Sequence, residues 1–113
     1  MPTIERKQIL KAALAGGHVS SVDARTIRFE SSGQKTGRHL HPCSVVGYIV
    51  EGAAEFQIEG ESARTLPAGS AFHEPAGAVI SAFNNASNSN PMTFVAFYLL
   101  DGEQDLIQML EEQ

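Results

Sequence analysis

The chain has 113 residues, of which 42% are hydrophobic and 19% are charged, and its formal net charge is −5. This length and composition predict one globular domain over residues 1–113 and exclude both two full domains and a disordered chain. An acidic chain without a basic stripe is a poor ligand for nucleic acid or for an anionic membrane surface, so neither is an expected partner.

The cellular compartment is predicted from two features. The chain has one cysteine, Cys43, which excludes an internal disulfide framework and favours a reducing environment. Residues 1–17 carry several charged side chains and lack the apolar core of a signal peptide. No run reaches the roughly 20 consecutive apolar residues that span a bilayer. We therefore expect a cytoplasmic protein without a membrane helix.

The first predicted element is a short helix over about residues 4–15. Thr3 can cap it, Leu10 and Leu14 belong to an apolar stripe at helical spacing, and Gly16 follows as a stop. Such a stripe is typical of a packing surface rather than of a ligand site.

The middle of the chain, over about residues 19–100, is predicted to be β-rich because apolar and β-branched runs alternate with turn residues. The predicted strands cover residues 19–23, 26–30, 37–41, 45–51, 54–59, 71–74, 78–84 and 92–100, with loops at 31–34, 66–70 and 86–91. Many short strands with short connections predict an antiparallel sandwich or closed barrel.

The last predicted element is a second short helix over about residues 103–112. Leu106 and Leu110 fall on one apolar face, and Asp101 with Gln104 resembles a capping box. We interpret this face as another packing surface.

The segment His39-Leu40-His41 carries the clearest chemical signal. Residues two apart project from the same face of an extended strand, so the two imidazoles are expected to converge on one side of a sheet. A first-row metal ion takes its first two protein ligands in this way.

The residues around this pair resemble the first motif of the cupin family, which runs Gly, five residues, His, one residue, His, three or four residues, Glu, six residues, Gly. This chain has Gly33, His39 and His41, then Val45 at the family's Glu position, then Gly52. The first motif is therefore kept in its spacing and changed at one ligand.

The second cupin motif runs Gly, five residues, Pro, one residue, Gly, two residues, His, three residues, Asn. Here Gly69, Pro75 and Gly77 are kept, Ile80 stands at the His position, and Asn84 is kept. Two separated motifs with intact spacing are more specific than one. The resemblance implies an all-β, single-domain cupin jelly roll (a double-stranded β-helix), with its barrel core at about residues 19–100 between the two terminal helices.

Both changed positions are ones at which metal-dependent cupins bind their ion with three His and one Glu. Only His39 and His41 carry over, because Val45 and Ile80 cannot coordinate. If these four residues line the pocket, it is more apolar than in a cupin with all its ligands, and a small, neutral or aromatic molecule is the expected occupant.

A third protein ligand has four candidates in the sequence. Cys43 shares the parity of the His pair, and its thiolate would favour zinc or copper. His73 and Glu74 lie on opposite faces of their strand, so at most one of them points inward. Gln57 is a fourth candidate if its strand face lines the barrel. The cofactor is therefore either a divalent transition metal (Zn, Fe, Ni, Mn or Cu) or none.

Three functions remain open at this point. The sequence narrowly favours a barrel that binds a small, largely apolar molecule with a weakened or absent metal site. The alternative is a metal-dependent enzyme, dioxygenase- or isomerase-like, that uses His39, His41 and a non-standard third ligand. A weaker third reading is an acid–base isomerase without metal. Because an open barrel has sheet edges to protect, we expect a homodimer.

Overall fold

The computed structural model describes residues 3–14, 16–30 and 35–111. Within these ranges the regular structure is entirely β, which the sequence predicts for the middle of the chain but not for its two ends. The strands, numbered in chain order, are β1 (Ser21–Phe29), β2 (His39–Leu40), β3 (Ser44–Glu51), β4 (Ala53–Ile58), β5 (Arg64–Pro67), β6 (Ala71–Glu74), β7 (Val79–Asn85), β8 (Met92–Leu100) and β9 (Gln108–Met109).

The strands form two sheets that face each other. One has the order β1-β8-β3-β6 and the other β5-β4-β7-β2-β9, and the pairs within each are antiparallel. Burial alternates along β3 and β8, as it does in strands with one face in the core and one outside. This arrangement is the jelly roll that the motif spacing predicts.

Aromatic rings fill much of the space between the sheets. Phe72 of β6 contacts Phe56 and Phe83 of the opposite sheet at ring-centroid distances of 6.0 and 5.1 Å. Phe72 lies directly over Gly47, its cross-strand neighbour, where any side chain would collide with the ring. The core therefore requires glycine at position 47 and large aromatic rings at the positions that face it.

Most strand boundaries lie within one or two residues of the prediction, and two assignments differ more. The strands predicted at residues 19–23 and 26–30 form one continuous strand, β1, paired with β8 over its whole length. Residues 64–67 form β5, where the sequence predicts coil followed by a loop. The motif glycine Gly52 has φ 78° and lies against the Pro91 carbonyl, so it needs the freedom of glycine. Gly33 lies outside the described residues.

The predicted N-terminal helix at residues 4–15 is wrong for the part that is described. Residues 4–14 contain no helix, and Ala15 lies outside the described residues. Ile4, Ile9 and Leu14 are 77%, 52% and 41% exposed. A helix of about 12 residues is marginal in water without a surface to pack against. The stripe has the period of a helix, but in the part of the chain that the structure describes these three side chains are not buried against the barrel.

The predicted C-terminal helix at residues 103–112 is also wrong over 103–111, and Glu112 lies outside the described residues. The expected Asp101–Gln104 contact exists, since the Asp101 N–H donates to Gln104 Oε1 at 2.9 Å, but it closes a bend rather than a helix. Leu106 packs on the core and β9 pairs with β2. Residues 108–109 pair with the open edge of β2 instead of continuing a helix. Among the described residues, no helix is long and apolar enough to cross a membrane.

Candidate metal centre

The two histidines lie at the short strand β2. His39 begins it and His41 follows it, and the two residues are 3% and 5% exposed. Their ring centroids are 5.1 Å apart. The Gly77 N–H donates to the His41 carbonyl at 2.9 Å, which ties the turn after Pro75 to the His pair. The backbones of the two sequence motifs are therefore in direct contact at this point.

Each ring is held by a backbone carbonyl at Nδ1. The distance is 2.8 Å from His39 Nδ1 to the Gly37 oxygen and 2.6 Å from His41 Nδ1 to the Leu106 oxygen. A carbonyl oxygen only accepts, so both Nδ1 atoms carry the proton. In the neutral rings each Nε2 then offers a lone pair, which is how metal-binding histidines are commonly oriented.

Glu74 faces these two Nε2 atoms. Its Oε2 lies 3.5 Å from His41 Nε2 and 3.9 Å from His39 Nε2, and the three ligand atoms all lie within 4.8 Å of one another. Glu74 is 4% exposed, and its Oε2 has no hydrogen-bond partner among the described residues. A buried carboxylate oxygen left in this way is costly unless a proton or a cation satisfies it.

Strand register explains why Glu74 lies there. On β6, Glu74 pairs directly with Val45 of β3, the position at which the cupin motif has its Glu. Directly opposite residues share a sheet face, so the carboxylate is supplied from the next strand. Ile80 of β7 pairs directly with His39 and is fully buried. The second changed position therefore holds an apolar side chain beside the ligand set.

The other third-ligand candidates lie elsewhere. Cys43 is buried outside the cavity at the His pair, and burial raises the pKa of its thiol. His73 lies on the face of β6 opposite Glu74, because burial alternates along that strand. Gln57 donates from Nε2 to the Glu61 carbonyl at the next turn. Of the four candidates, Glu74 alone lies within ligand distance of the pair.

Charge and burial act in opposite directions on His41. Burial lowers the pKa of its imidazole, but the neighbouring Glu74 carboxylate and the Leu106 carbonyl outweigh burial, so the pKa is raised overall. Tyr98 lies edge-on to His41 at 5.7 Å, and burial first, then the Glu74 charge, raises the pKa of its phenol. Tyr98 therefore remains a neutral proton donor at ordinary pH.

A partly enclosed cavity of about 160 Å³ adjoins the three groups. Its polar side chains are His39, His41, Glu74, Tyr98 and Thr36, and its apolar wall includes Ile27, Phe29, Val45, Phe83, Phe94, Ala96 and Ile107. No Lys or Arg lines it within the ranges that the structure describes. Ile80 packs in the core without lining this cavity. The space has one polar corner and an otherwise apolar surface.

The donor set fits a divalent first-row ion. Ligand atoms at about 2.1 Å from a common ion lie roughly 3.0 to 3.4 Å apart at right-angle to tetrahedral geometry. The observed 3.5 and 3.9 Å separations need only a small closure. Two imidazoles and one carboxylate suit iron, zinc, nickel or manganese better than a soft ion that prefers thiolate. The group can therefore hold a metal, and it does not specify which one.

Sequence reasoning leaves one contributor to this site unselected and misses two others. The first is the choice of Glu74 over His73, which was available from parity: Phe72 must face the core, and residue 74 shares its face. Nothing in the sequence indicates that Tyr98 and the Leu106 carbonyl lie beside His41. Their proximity to His41 depends on long-range strand register and on a C-terminal segment predicted to be helical.

Comparison with known proteins gives a family and a set of related folds. The sequence profile described as "Cupin domain" matches residues 25–100. A comparison with curated protein sequences finds no match. The DMSP lyase DddQ from Ruegeria pomeroyi DSS-3 is similar in structure, with a TM-score of 0.67 and 22% identity over 79% of this chain. That alignment spans 43% of the lyase, so the match covers less than half of that protein's length.

Two further solved structures are similar in fold. An uncharacterised Klebsiella pneumoniae protein with a double-stranded β-helix domain has a TM-score of 0.64 and 21% identity, covering 80% of this chain and 76% of its own. An oxalate oxidase in complex with the substrate analogue glycolate has a TM-score of 0.62 and 22% identity, covering 79% of this chain and 46% of its own. At these identities the likeness establishes the fold alone.

Proposed function

Because this chain belongs to the cupin family, we propose that it is a metal-dependent enzyme that acts on a small, largely apolar molecule. One divalent transition-metal ion is held by His39, His41 and Glu74. The observation that carries this proposal is the buried Oε2 of Glu74, which has no hydrogen-bond partner among the described residues and faces two imidazole Nε2 atoms. A metal ion satisfies all three atoms at once.

The ligand set favours a dioxygenase-type reaction. Two His and one carboxylate with open positions are the set that non-haem Fe(II) oxygenases use. When bound, the ion supplies Lewis acidity and, if it is iron, oxygen activation. Similar folds in an oxalate oxidase and a DMSP lyase are compatible with enzymatic use of this barrel, and they do not assign a reaction to this chain.

The remaining cavity residues bind and orient the substrate. Tyr98, kept neutral by burial and by Glu74, donates a hydrogen bond to an oxygen of the bound molecule. Phe29, Phe83 and Phe94 contact its apolar part and exclude water. An apolar cavity of about 150 Å³ admits benzene, so the 160 Å³ here limits the occupant to about one ring. Because no Lys or Arg side chain lines the cavity among the described residues, only the metal ion could balance the charge of an anionic substrate.

A second candidate function is a metal-free barrel that binds the same class of small apolar molecule. The raised pKa of His41 favours it, because a protonated His41 beside Glu74 satisfies the carboxylate without an ion. Metal content separates the two candidates. Proton exchange in a bound carbonyl compound by the metal-free protein would instead indicate an acid–base isomerase.

The test is elemental analysis of protein purified without chelator and then reloaded. Wild type is compared with Glu74→Gln, with the double variant His39→Ala/His41→Ala, and with His73→Gln as the matched control. His73 lies on the same strand as Glu74 and faces the other way. We expect near-stoichiometric metal in wild type and His73→Gln, and loss in the other two. Absence of metal from reloaded wild type would contradict the enzyme proposal and leave the metal-free binder.

We also propose that the protein is a cytoplasmic homodimer with a single domain and no nucleic-acid partner. The outer face of the β1-β8-β3-β6 sheet supports the dimer, because Val22, Tyr48, Val50 and Phe97 are exposed on it. A contiguous apolar face of this kind is typical of an interface. The lone buried Cys43 suits a reducing compartment. Sedimentation as a monomer at micromolar concentration would contradict the dimer.

A further inference from the structure

The C-terminal segment over residues 101–111, here called the strap, crosses the barrel beside the candidate metal centre. Apart from the two-residue ladder of β9 with β2, the strap is held by separate contacts. The Leu110 N–H donates to the Arg38 carbonyl at 2.9 Å, Arg38 Nη1 donates to the Glu111 carbonyl at 3.1 Å, and Leu106 packs on the core. At the start of the strap, the Gly102 N–H donates to Ser20 Oγ and Gln104 Nε2 donates to the Pro42 carbonyl. A segment held by separate contacts, without a long strand ladder, can detach without unfolding the barrel.

The strap contributes one polar atom to the site. The Leu106 carbonyl accepts from His41 Nδ1 at 2.6 Å across 65 residues of sequence. His39 is held differently, because its Nδ1 donates to Gly37, only two residues away, at 2.8 Å. The two rings thus point the same nitrogen at Glu74. The orientation of the His39 ring is fixed by a neighbouring residue, and that of the His41 ring is fixed by the strap.

The strap also forms one side of the cavity. Leu106 lines an open, polar groove of about 730 Å³ together with Asp23 and Arg25. The next residue, Ile107, lines the cavity at the His pair and is also 44% exposed to solvent. The strap therefore lies between the open groove and the cavity at His41. Most other residues of the cavity lie on strands that are held by ladders of backbone hydrogen bonds, as β1, β3 and β8 are.

We propose that the strap is a positioning element: the Leu106 carbonyl fixes the ring of His41 for metal binding, and Ile107 closes the cavity above it. This proposal rests on the proposed function for its effect on metal affinity. Its effect on the His41 tautomer is independent of any metal. Leu106 acts through His41 and contacts neither metal nor substrate in this role.

The strap is tested by two substitutions at Leu110 in the full chain. Leu110→Pro removes the N–H that bonds to Arg38, whereas Leu110→Ala removes most of the side chain and keeps that donor. Amide hydrogen exchange at residues 106–109 verifies that only the proline variant has released the strap. Zn²⁺ affinity by competition titration, and the ring tautomers by long-range ¹H–¹⁵N NMR of the metal-free protein, are then compared.

We expect Leu110→Pro to bind Zn²⁺ about 10- to 100-fold more weakly than Leu110→Ala, the usual loss when a metal-bound histidine loses its outer hydrogen bond. In the metal-free protein, His41 should change from the Nδ1–H form to a tautomer mixture. His39 should keep the Nδ1–H form and is the internal control. Unchanged affinity and an unchanged His41 tautomer in a released strap would overturn the positioning role.

The covering role is tested by Ile107→Gly, which leaves the Leu106 carbonyl in place. We expect nearly unchanged Zn²⁺ affinity and faster removal of the ion by excess chelator. Removal at the wild-type rate would overturn the covering role. If wild type binds no metal at all, the proposed function fails, and the NMR comparison at His41 still decides whether the strap positions the ring.

Discussion

The interior of the barrel has a filled half and an open half, and β6 contributes to both. Phe72 points into the filled half, where it contacts the rings of Phe56 and Phe83. Two residues later Glu74 points into the open half, opposite His39 and His41. The strand pairing is the same in both halves, so the chemistry of the side chains determines which half is filled and which is open. Apolar rings collapse on one another, whereas converging polar groups leave a cavity that needs a ligand.

The filled half should determine stability without affecting the metal centre. Phe72→Ala removes a fully buried ring, and we expect it to lower the free energy of unfolding by about 3–5 kcal/mol. Metal affinity per folded molecule should stay near the wild-type value. Urea unfolding and Zn²⁺ titration measure the two quantities. The control is Ser62→Ala in the exposed loop between β4 and β5, with an expected change within about 0.5 kcal/mol.

The open half should show the reverse pattern. Glu74→Gln keeps the shape of the side chain and removes the charge, so we expect Zn²⁺ affinity to fall by about 100-fold or more, roughly 2.7 kcal/mol. Isothermal titration measures it, with His73→Gln as the control on the other face of β6. Equal losses in both variants would mean that Glu74 is not a ligand and would remove the distinction between the two halves.

A third histidine can be added to the metal centre at a position that now belongs to the filled half. Ile80→His places an imidazole directly opposite His39, at the position where the cupin motif has its third His. We expect the metal-free variant to be less stable by about 1–3 kcal/mol, because a polar ring is buried. Zn²⁺ affinity should rise by about tenfold. Ile58→His, one strand further along the same row, is the control and should give no gain. A loss of affinity in Ile80→His would place the metal elsewhere.

The smallest expected effect is the pH dependence of the metal-free protein. The pKa of His41 is raised in the folded state, so its protonated form stabilises the fold fully below the ordinary value of 6.5. That contribution is lost as the pH rises through the folded-state pKa. The difference in unfolding free energy between wild type and His41→Gln should therefore shrink with rising pH. A difference that grows over this range would mean that Glu74 does not hold the His41 proton.

The fold was predictable from the sequence because its signals are local. Turn glycines such as Gly52 and the apolar alternation of β3 and β8 are visible without knowledge of the partner strands. Both terminal helices were predicted wrongly, since period and capping residues do not reveal whether a surface is available to pack against. The edge of β2 takes residues 108–109 into a strand, and nothing near Met109 in sequence signals this.

The site was only partly predictable. The His pair follows from two-residue parity within one segment, whereas the third group depends on which face of β6 turns inward and on the register of β6 with β3. The sequence analysis narrowed that choice to four residues without selecting Glu74, although an inward-facing Phe72 would have favoured Glu74 over His73. Register is fixed by the packing of distant strands, so the absence of a ligand at Val45 does not establish the absence of a site.

Anomalous X-ray diffraction from crystals of the protein loaded with Zn²⁺ tests the central claim most directly. The account predicts a single strong peak per chain at coordination distance from His39 Nε2, His41 Nε2 and a Glu74 carboxylate oxygen, about 2.0–2.2 Å from each. No peak at this position, or a peak at another group such as His18 with Asp101, would contradict it.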